Sequence, residues 1–458
     1  MSGNIITLSR CLLLTLGAAM VLGKAFAQVD KASSLDALVD ARIAAEETRL
    51  CVVAGTITAA GTLKSVRCAE GLGSRLKPDA VIEIGSISKA FLGVLLADAS
   101  LRGEVKLDDP LAKHLSPDAT LPSFGSTTIT LLDLATHNAG VPRLPPGFAP
   151  VNPADPYAAL NETSLLAALA ASKLERNPGA RYEYSNFGAM LLSLALSRAS
   201  GKPFDVLLAE RIATPLRMTS TFVVVPESQR GRIGQGHAPD GRPVPPWTID
   251  ARLAGVGGIR STLDDMLIFA AASLTPPDNA LGRAIALSQR MQRAIPGGEI
   301  GLLWHRRASS AGSTIVWHNG GTGGSRTMLA IDAARGIAAF AAADTALSVD
   351  DLALHLVDSA SPLKKRRIAV AFDLAWLDEV AGHYALSPTF TLTFVRKGER
   401  LFAQAPQQPE FEVFAEDRDR IFWKAIDAQA VFVRDESGRI TGMNFMQAGR
   451  TLKAPRLP

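Results

Sequence analysis

Cysteine is scarce in this chain, three among 458 residues. Cys11 sits in an N-terminal leader, so a single pair, Cys51 and Cys68, is left to the mature protein. A strong charge of one sign is missing too. A net charge of +4 spread over the whole length predicts no nucleic-acid footprint, and the one dense basic run, Lys364-Lys365-Arg366-Arg367, reads as a solvated connector. The seven histidines, among them His114, His137, His237 and His305, show no H-E-x-x-H or other paired ligand spacing. They read as structural, and no metal or other cofactor is expected. No serine stands in G-x-S-x-G, which excludes the nucleophile elbow of the α/β-hydrolase kind. Beyond the leader no segment reaches the ~20 apolar residues that span a bilayer, so no membrane span is expected in the mature protein. Internal repeats and low-complexity tracts are absent.

What is present begins with ordinary globular composition, 47% hydrophobic and 20% charged. The length is about three times a usual domain of ~150 residues, which predicts two domains or one large domain with an appendage. Residues 1–27 carry Arg10, an apolar run from Cys11 to Gly23, and Ala25-Phe26-Ala27 before Gln28. That is the pattern of a cleaved secretory signal peptide, with a retained anchor as the alternative, and it predicts a periplasmic or secreted protein. In an oxidising compartment Cys51 and Cys68 are expected to pair, because Cys51–Thr58 and Leu63–Glu70 read as the strands of one hairpin. Two free buried thiols are the alternative.

The order of patterns predicts an α+β fold: an antiparallel sheet flanked by helices, with a mostly helical subdomain from about Asp108 to Leu274. Strand-like runs resume at Thr314–Trp317, Ser325–Ile331 and Gly336–Ala342. The main domain is expected over 28–360 and a linker over 361–371. A small all-β barrel is expected over 372–458, where Thr391–Val395, Phe411–Phe414 and Val431–Val433 alternate with period two.

Three S-x-x-K spacings occur, at Ser74–Lys77, Ser86–Lys89 and Ser361–Lys364. Pro78 after Lys77 and Pro362 after Ser361 disfavour helix at the first and third. Only Ser86 opens a helical pattern, which would stack Lys89 over the Ser86 hydroxyl at the positive end of the helix dipole, as an activated nucleophile requires. Taken alone, the same residues equally describe an N-cap and a solvated lysine. Downstream, Tyr184-Ser185-Asn186 offers a phenol and an amide ahead of a helical stretch. Seen in isolation, Tyr184 reads as a packed aromatic and Asn186 as a helix cap. Finally, Val316-Trp317-His318-Asn319 runs into Gly320-Gly321-Thr322-Gly323-Gly324, a strand entering a glycine-rich turn.

In this order the three elements resemble the class C β-lactamase and DD-peptidase family of penicillin-recognising serine hydrolases. The resemblance extends over roughly Leu35 to Val357 and includes Ile84–Lys89, Arg102–Pro110, Ile129–His137 and Gly301–Trp304. The last part of the chain resembles the lipocalin-like tail of some members. The resemblance implies that Ser86 is acylated, Lys89 helps take its proton, and Tyr184 shuttles a proton to the leaving group. Asn186, His318 and Gly320 would line the substrate site, and the N–H groups of Ser86 and Gly321 would form the oxyanion hole. His318 replaces the lysine of β-lactamases, Asn319 replaces a threonine, and Asp344 falls near an amide that contacts the substrate carboxylate, where an acid would disfavour an anion. The expected function is β-lactam hydrolysis through an acyl-Ser86 intermediate. The alternatives are a D-Ala-D-Ala carboxypeptidase, endopeptidase or esterase, or a catalytically silent sensor of cell-wall fragments. The implied partners are a small-molecule β-lactam, a peptidoglycan-derived peptide or an ester.

Overall fold

In a computed structural model of the chain, the described residues are 34–46, 48–387, 390–406, 410–424, 428–447 and 450–458. The leader expected over 1–27 lies outside them. The chain divides after Lys364 into two compact units, a break that falls inside the stretch 361–371.

The first unit is built on an eight-stranded antiparallel sheet. Its strands are β1 (Cys51–Thr58), β2 (Gly61–Cys68), β3 (Arg293–Ile295), β4 (Gly298–Ile300), β5 (His305–Ala308), β6 (Thr314–Gly321), β7 (Arg326–Asp332) and β8 (Ile337–Ala343). Their spatial order is β2-β1-β8-β7-β6-β5-β4-β3. The central strands read as near-continuous apolar runs because both faces are covered. Under one face lie helix α1 (34–44) and a helix at Asp350–Val357, where Leu35, Val39, Leu352 and Val357 meet Val52, Ala339 and Ala341. On the other face Val53, Leu329 and Phe340 join the main core with the helix Leu263–Leu274. That helix packs so closely that a Cβ on Gly55 would lie 2.6 Å from Leu267 Cδ1. β1 and β2 form the expected hairpin, and Cys51 sits opposite Cys68, bridged by a disulfide with a Cα–Cα distance of 3.9 Å.

Helix α2 (Ser88–Leu101) runs through the middle of the unit, buried from Ser88 to Ala99. A helix apolar on every side belongs in a core, and Phe91 of α2 stacks on Phe269. Helix α3 (Asn186–Ser200) is buried along most of its length beside it. Both helices start at the same end of the unit, and the loops that lead into them shape the site described below.

In the second unit a short helix, Leu374–Val380, precedes eight strands paired strictly in chain order from Gly382–Ser387 to Arg450–Pro455. The helix is absent from the sequence reading. Asp373 caps it by accepting the Trp376 N–H at 2.8 Å. An isolated bridge from Tyr384 in the first strand to Arg456, just past the last, nearly closes the barrel. Its interior is filled by Tyr384, Phe394, Trp423, Phe432 and Phe445, so the lumen is a packed core. Among the described residues no helix is long and apolar enough to cross a membrane.

Candidate active site

Ser86 is reached by a short strand, Ile82–Glu83, that pairs with Arg260–Ser261. The chain then turns at Gly85, whose φ of +52° lies in the left-handed region that favours glycine. Ser86 stands in a 3-10 turn, Gly85–Ile87, and α2 proper begins at Ser88, two residues later than the sequence pattern placed it. The turn keeps the stacking intended by the spacing: Lys89 Nζ is 3.0 Å from Ser86 Oγ. Lys89 is fully buried and donates to the Val256 carbonyl at 2.6 Å. Burial, assisted by the charge of Arg143, holds its pKa well below the ordinary lysine value. Lys89 is therefore an amine able to accept a proton. The other two S-x-x-K spacings lie outside helices, and Lys364 is paired with Glu46.

Tyr184 lies on the opposite side of the serine. Its phenol interacts with Ser86, its ring faces Lys89 Nζ at 5.1 Å, and enclosure raises its pKa above the ordinary tyrosine value. Ser185, not Asn186, caps α3: its Oγ accepts the Gly188 N–H at 2.8 Å and donates to the Pro142 carbonyl at 2.6 Å. Capping by Ser185 frees the Asn186 side chain, whose amide nitrogen donates to Tyr157 Oη at 3.3 Å while Oδ1 is buried without a protein partner.

The third wall is the end of β6. A Cβ on Gly320 would lie 1.9 Å from the Ile84 carbonyl, and one on Gly85 would lie 2.5 Å from the Gly321 nitrogen. The glycines thus let two backbones meet beside Ser86. Thr322 N–H donates to Ser325 O, which makes that register a hydrogen-bonded pair and Gly321–Arg326 the alternate one. The Gly321 N–H consequently points away from β7, beyond Trp317, where β5 stops pairing. His318 is fully buried; its Nδ1–H donates to the Asn319 carbonyl at 2.6 Å, leaving Nε2 as an acceptor with no partner among the described residues. Burial first, then His305 and Lys89, pull its pKa well below the ordinary histidine value. Burial thus holds His318 toward its neutral form. Asn319 donates to Asp350 at 2.6 Å.

These walls enclose a cleft of about 620 Å³. Two sequence readings are corrected by it. Asp344 does not line the cleft: its carboxylate accepts the Cys51 N–H at 2.8 Å and pairs with Arg75 at 2.7 Å, so it is neutralised at the start of β1. His305, taken as structural, lines the site, while His137 keeps a structural role behind it. His305 lines the cleft, its Nε2 is 2.9 Å from Tyr182 Oη, and burial pulls its pKa down to about 4. His137 holds the segment carrying Tyr184: its carbonyl accepts the Glu183 N–H at 2.7 Å and its Nδ1 accepts the Ser185 N–H at 3.2 Å. It does so at φ +55°, a conformation that costs a non-glycine residue on the order of 1 kcal/mol or more. Arg143, Tyr157, Trp247 and Arg326 also line the cleft and were not singled out from sequence. Among them only Arg143 carried a local cue, in the loop Arg143-Leu144-Pro145-Pro146. Among the described residues no cluster of histidine, cysteine and acidic side chains could hold a metal ion.

Comparison with known proteins places this geometry. The family described as Beta-lactamase matches residues 54–358. The D-alanyl-D-alanine-carboxypeptidase/endopeptidase AmpH of Escherichia coli K12 is 32% identical over 284 residues, 58% of this chain and 72% of that protein. A beta-lactamase of the same organism is 31% identical over 214 residues, 46% of this chain and 52% of that protein. Among solved structures, the beta-lactamase/D-alanine carboxypeptidase of Yersinia pestis, complexed with citrate, superposes with a TM-score of 0.60 at 25% identity. That match covers 71% of this chain and 97% of the other. Lying within the matched span, the Ser86–Lys89–Tyr184 cluster is held by a chain that belongs to the beta-lactamase family of serine hydrolases.

Proposed function

We propose that this protein hydrolyses acyl-D-alanine peptides of the cell wall, as a carboxypeptidase or endopeptidase, through an ester formed on Ser86. One observation carries the reaction: the Ser86 hydroxyl lies between Lys89, a buried amine whose pKa burial pulls down, and Tyr184, a phenol whose pKa burial pushes up. In the proposed acylation Oγ attacks the scissile carbonyl carbon while its proton passes to Lys89 Nζ. The resulting oxyanion is received by the N–H groups of Ser86, in the first turn of its helix, and Gly321. As the C–N bond breaks, the Tyr184 hydroxyl protonates the leaving nitrogen and is recharged from the Lys89 ammonium. Water then attacks the ester with the same groups acting in reverse.

The choice of substrate is supported by the AmpH relative, a D-Ala-D-Ala carboxypeptidase/endopeptidase by name. His318 does not decide it: a β-lactam and a C-terminal D-alanine both bring a carboxylate to that wall, where the cation is Arg326, whose guanidinium lies against Gly321. β-Lactam hydrolysis is the second reading, favoured by the E. coli beta-lactamase relative. A periplasmic or secreted location and a cleaved leader over 1–27 complete the proposal.

The test has two arms. Incubation with a labelled penicillin or a fluorophosphonate should add mass to the Ser86 peptide; absence of an adduct with every acylating probe refutes the mechanism. Steady-state turnover of a D-Ala-D-Ala peptide should exceed that of a chromogenic cephalosporin, and the reverse order selects the second reading.

A further inference from the structure

The cleft is lined by two arginines and no acidic residue. Arg326 is held in place: its Nη1 donates to the Thr322 and Ser325 carbonyls at 2.7 and 3.0 Å. Arg143 is different. Its backbone is fixed, because its carbonyl accepts the N–H of Asn186 at 2.9 Å and of Phe187 at 3.2 Å, tying it to the start of α3. Its guanidinium stands 5.2 Å from the Tyr184 ring centroid. Among the described residues no carboxylate lies within ion-pair distance of it, and its side chain donates no hydrogen bond to them.

A cation that lines a substrate cleft without a counter-charge is a seat for an anion, and no described residue provides one. The missing charge is then brought by the substrate. The location says on which part. Arg143 is hinged to Asn186, whose side chain lines the cleft with a buried, unpartnered Oδ1, whereas Arg326 lies against Gly321, the proposed oxyanion donor. We propose that Arg143 receives a carboxylate, or another anionic group, carried on the acyl portion of the substrate, ahead of the scissile carbonyl. The protein is thereby selective for acidic acyl-D-alanine peptides, a conclusion that rests on the acyl-Ser86 reading.

The experiment uses the full chain and two thioesters with one neutral thiol leaving group, N-succinyl-D-alanyl and N-acetyl-D-alanyl. The quantity read is the ratio of their kcat/KM values within one preparation, so that general loss of activity cancels. For an exposed ion pair in a cleft the succinyl ester should be preferred about fivefold at low salt, with the preference shrinking as ionic strength rises. Arg143→Gln should bring the ratio to about one, and Arg143→Lys should retain part of it. Acylation of Ser86 with no succinyl preference, or a preference that Arg143→Gln keeps, overturns this inference alone. Failure of both thioesters and of a fluorophosphonate to label Ser86 overturns the proposed function and this inference with it.

Discussion

Protonation of the buried imidazoles should destabilise the hydrolase unit in acid, and His305 allows the size to be worked out. Its ring is 8% exposed and its pKa is drawn from 6.5 to about 4, mainly by burial and then by Lys89. Above pH 6.5 the group is neutral in both folded and unfolded chains and contributes no pH dependence. Below it the unfolded chain binds a proton that the native one refuses, so stability falls with pH until the folded value is reached. For one group the loss is about 2 kcal/mol at pH 5 and about 3 kcal/mol by pH 4. Glu83, Asp265 and Asp350 act in the opposite sense, since burial raises their pKa values and the native state holds their protons more tightly. The raw pH slope therefore mixes two signs, and the informative quantity is the difference between wild type and His305→Asn. That variant also loses the Tyr182 contact, but at every pH. Thermal melts of the full chain at pH 7.5 and 5, with the hydrolase transition identified by loss of fluorophosphonate labelling, should show a drop about 4 °C smaller in the variant. Equal drops would refute the assignment of His305 as a neutral buried base.

Gly320→Ala should abolish activity and lower stability by about 2 kcal/mol or more, because its Cβ would meet the Ile84 carbonyl oxygen at 1.9 Å and Thr327 Oγ1 at 2.4 Å. Gly321→Ala should fold, since its Cβ meets no backbone, only the Arg326 side chain, nearest atom 2.8 Å away; labelling of Ser86 and melting temperature separate the two. Removing the Cys51–Cys68 bridge, by reductant or by paired alanines, should cost about 3 kcal/mol for a loop of this size, measured as a lower midpoint of the hydrolase transition. Tyr184→Phe should lower kcat for peptides by about a hundredfold, with Ser86 still labelled by fluorophosphonates; unchanged kcat would remove the phenol from the proton path.

Much of the site was legible in the sequence because its parts are local. Ser86 and Lys89 lie one helical turn apart, Tyr184 and Asn186 flank a capping serine, and the hairpin that pairs Cys51 with Cys68 is contiguous. What was not legible depends on long-range contact. Nothing in the segment around His305 signals that it will face Tyr182, 123 residues earlier in the chain. His137 was read only as a structural histidine, and its left-handed backbone emerges only from the loop it holds. Asp344 was misplaced because β8 ends one residue before it, which turns the acid toward Arg75 and away from the cleft. The barrel was recognised by its period-two runs, yet whether its lumen was hollow or packed depended on inward side chains from eight strands at once.

The two sides of the cleft differ in what they are made of. On one, Gly85 and Gly320 bring main chain against main chain, so that an atom added at either displaces the backbone beside the reacting serine. On the other, Arg143, Tyr157 and Trp247 reach in from loops as separate side chains. Sequence drift is therefore channelled: one wall is closed to change and preserves the reaction, while the other can be rewritten residue by residue to admit new acyl groups. Directed evolution toward altered substrates should accumulate its substitutions in the loops around Arg143, Tyr157 and Trp247 and leave the glycine wall untouched.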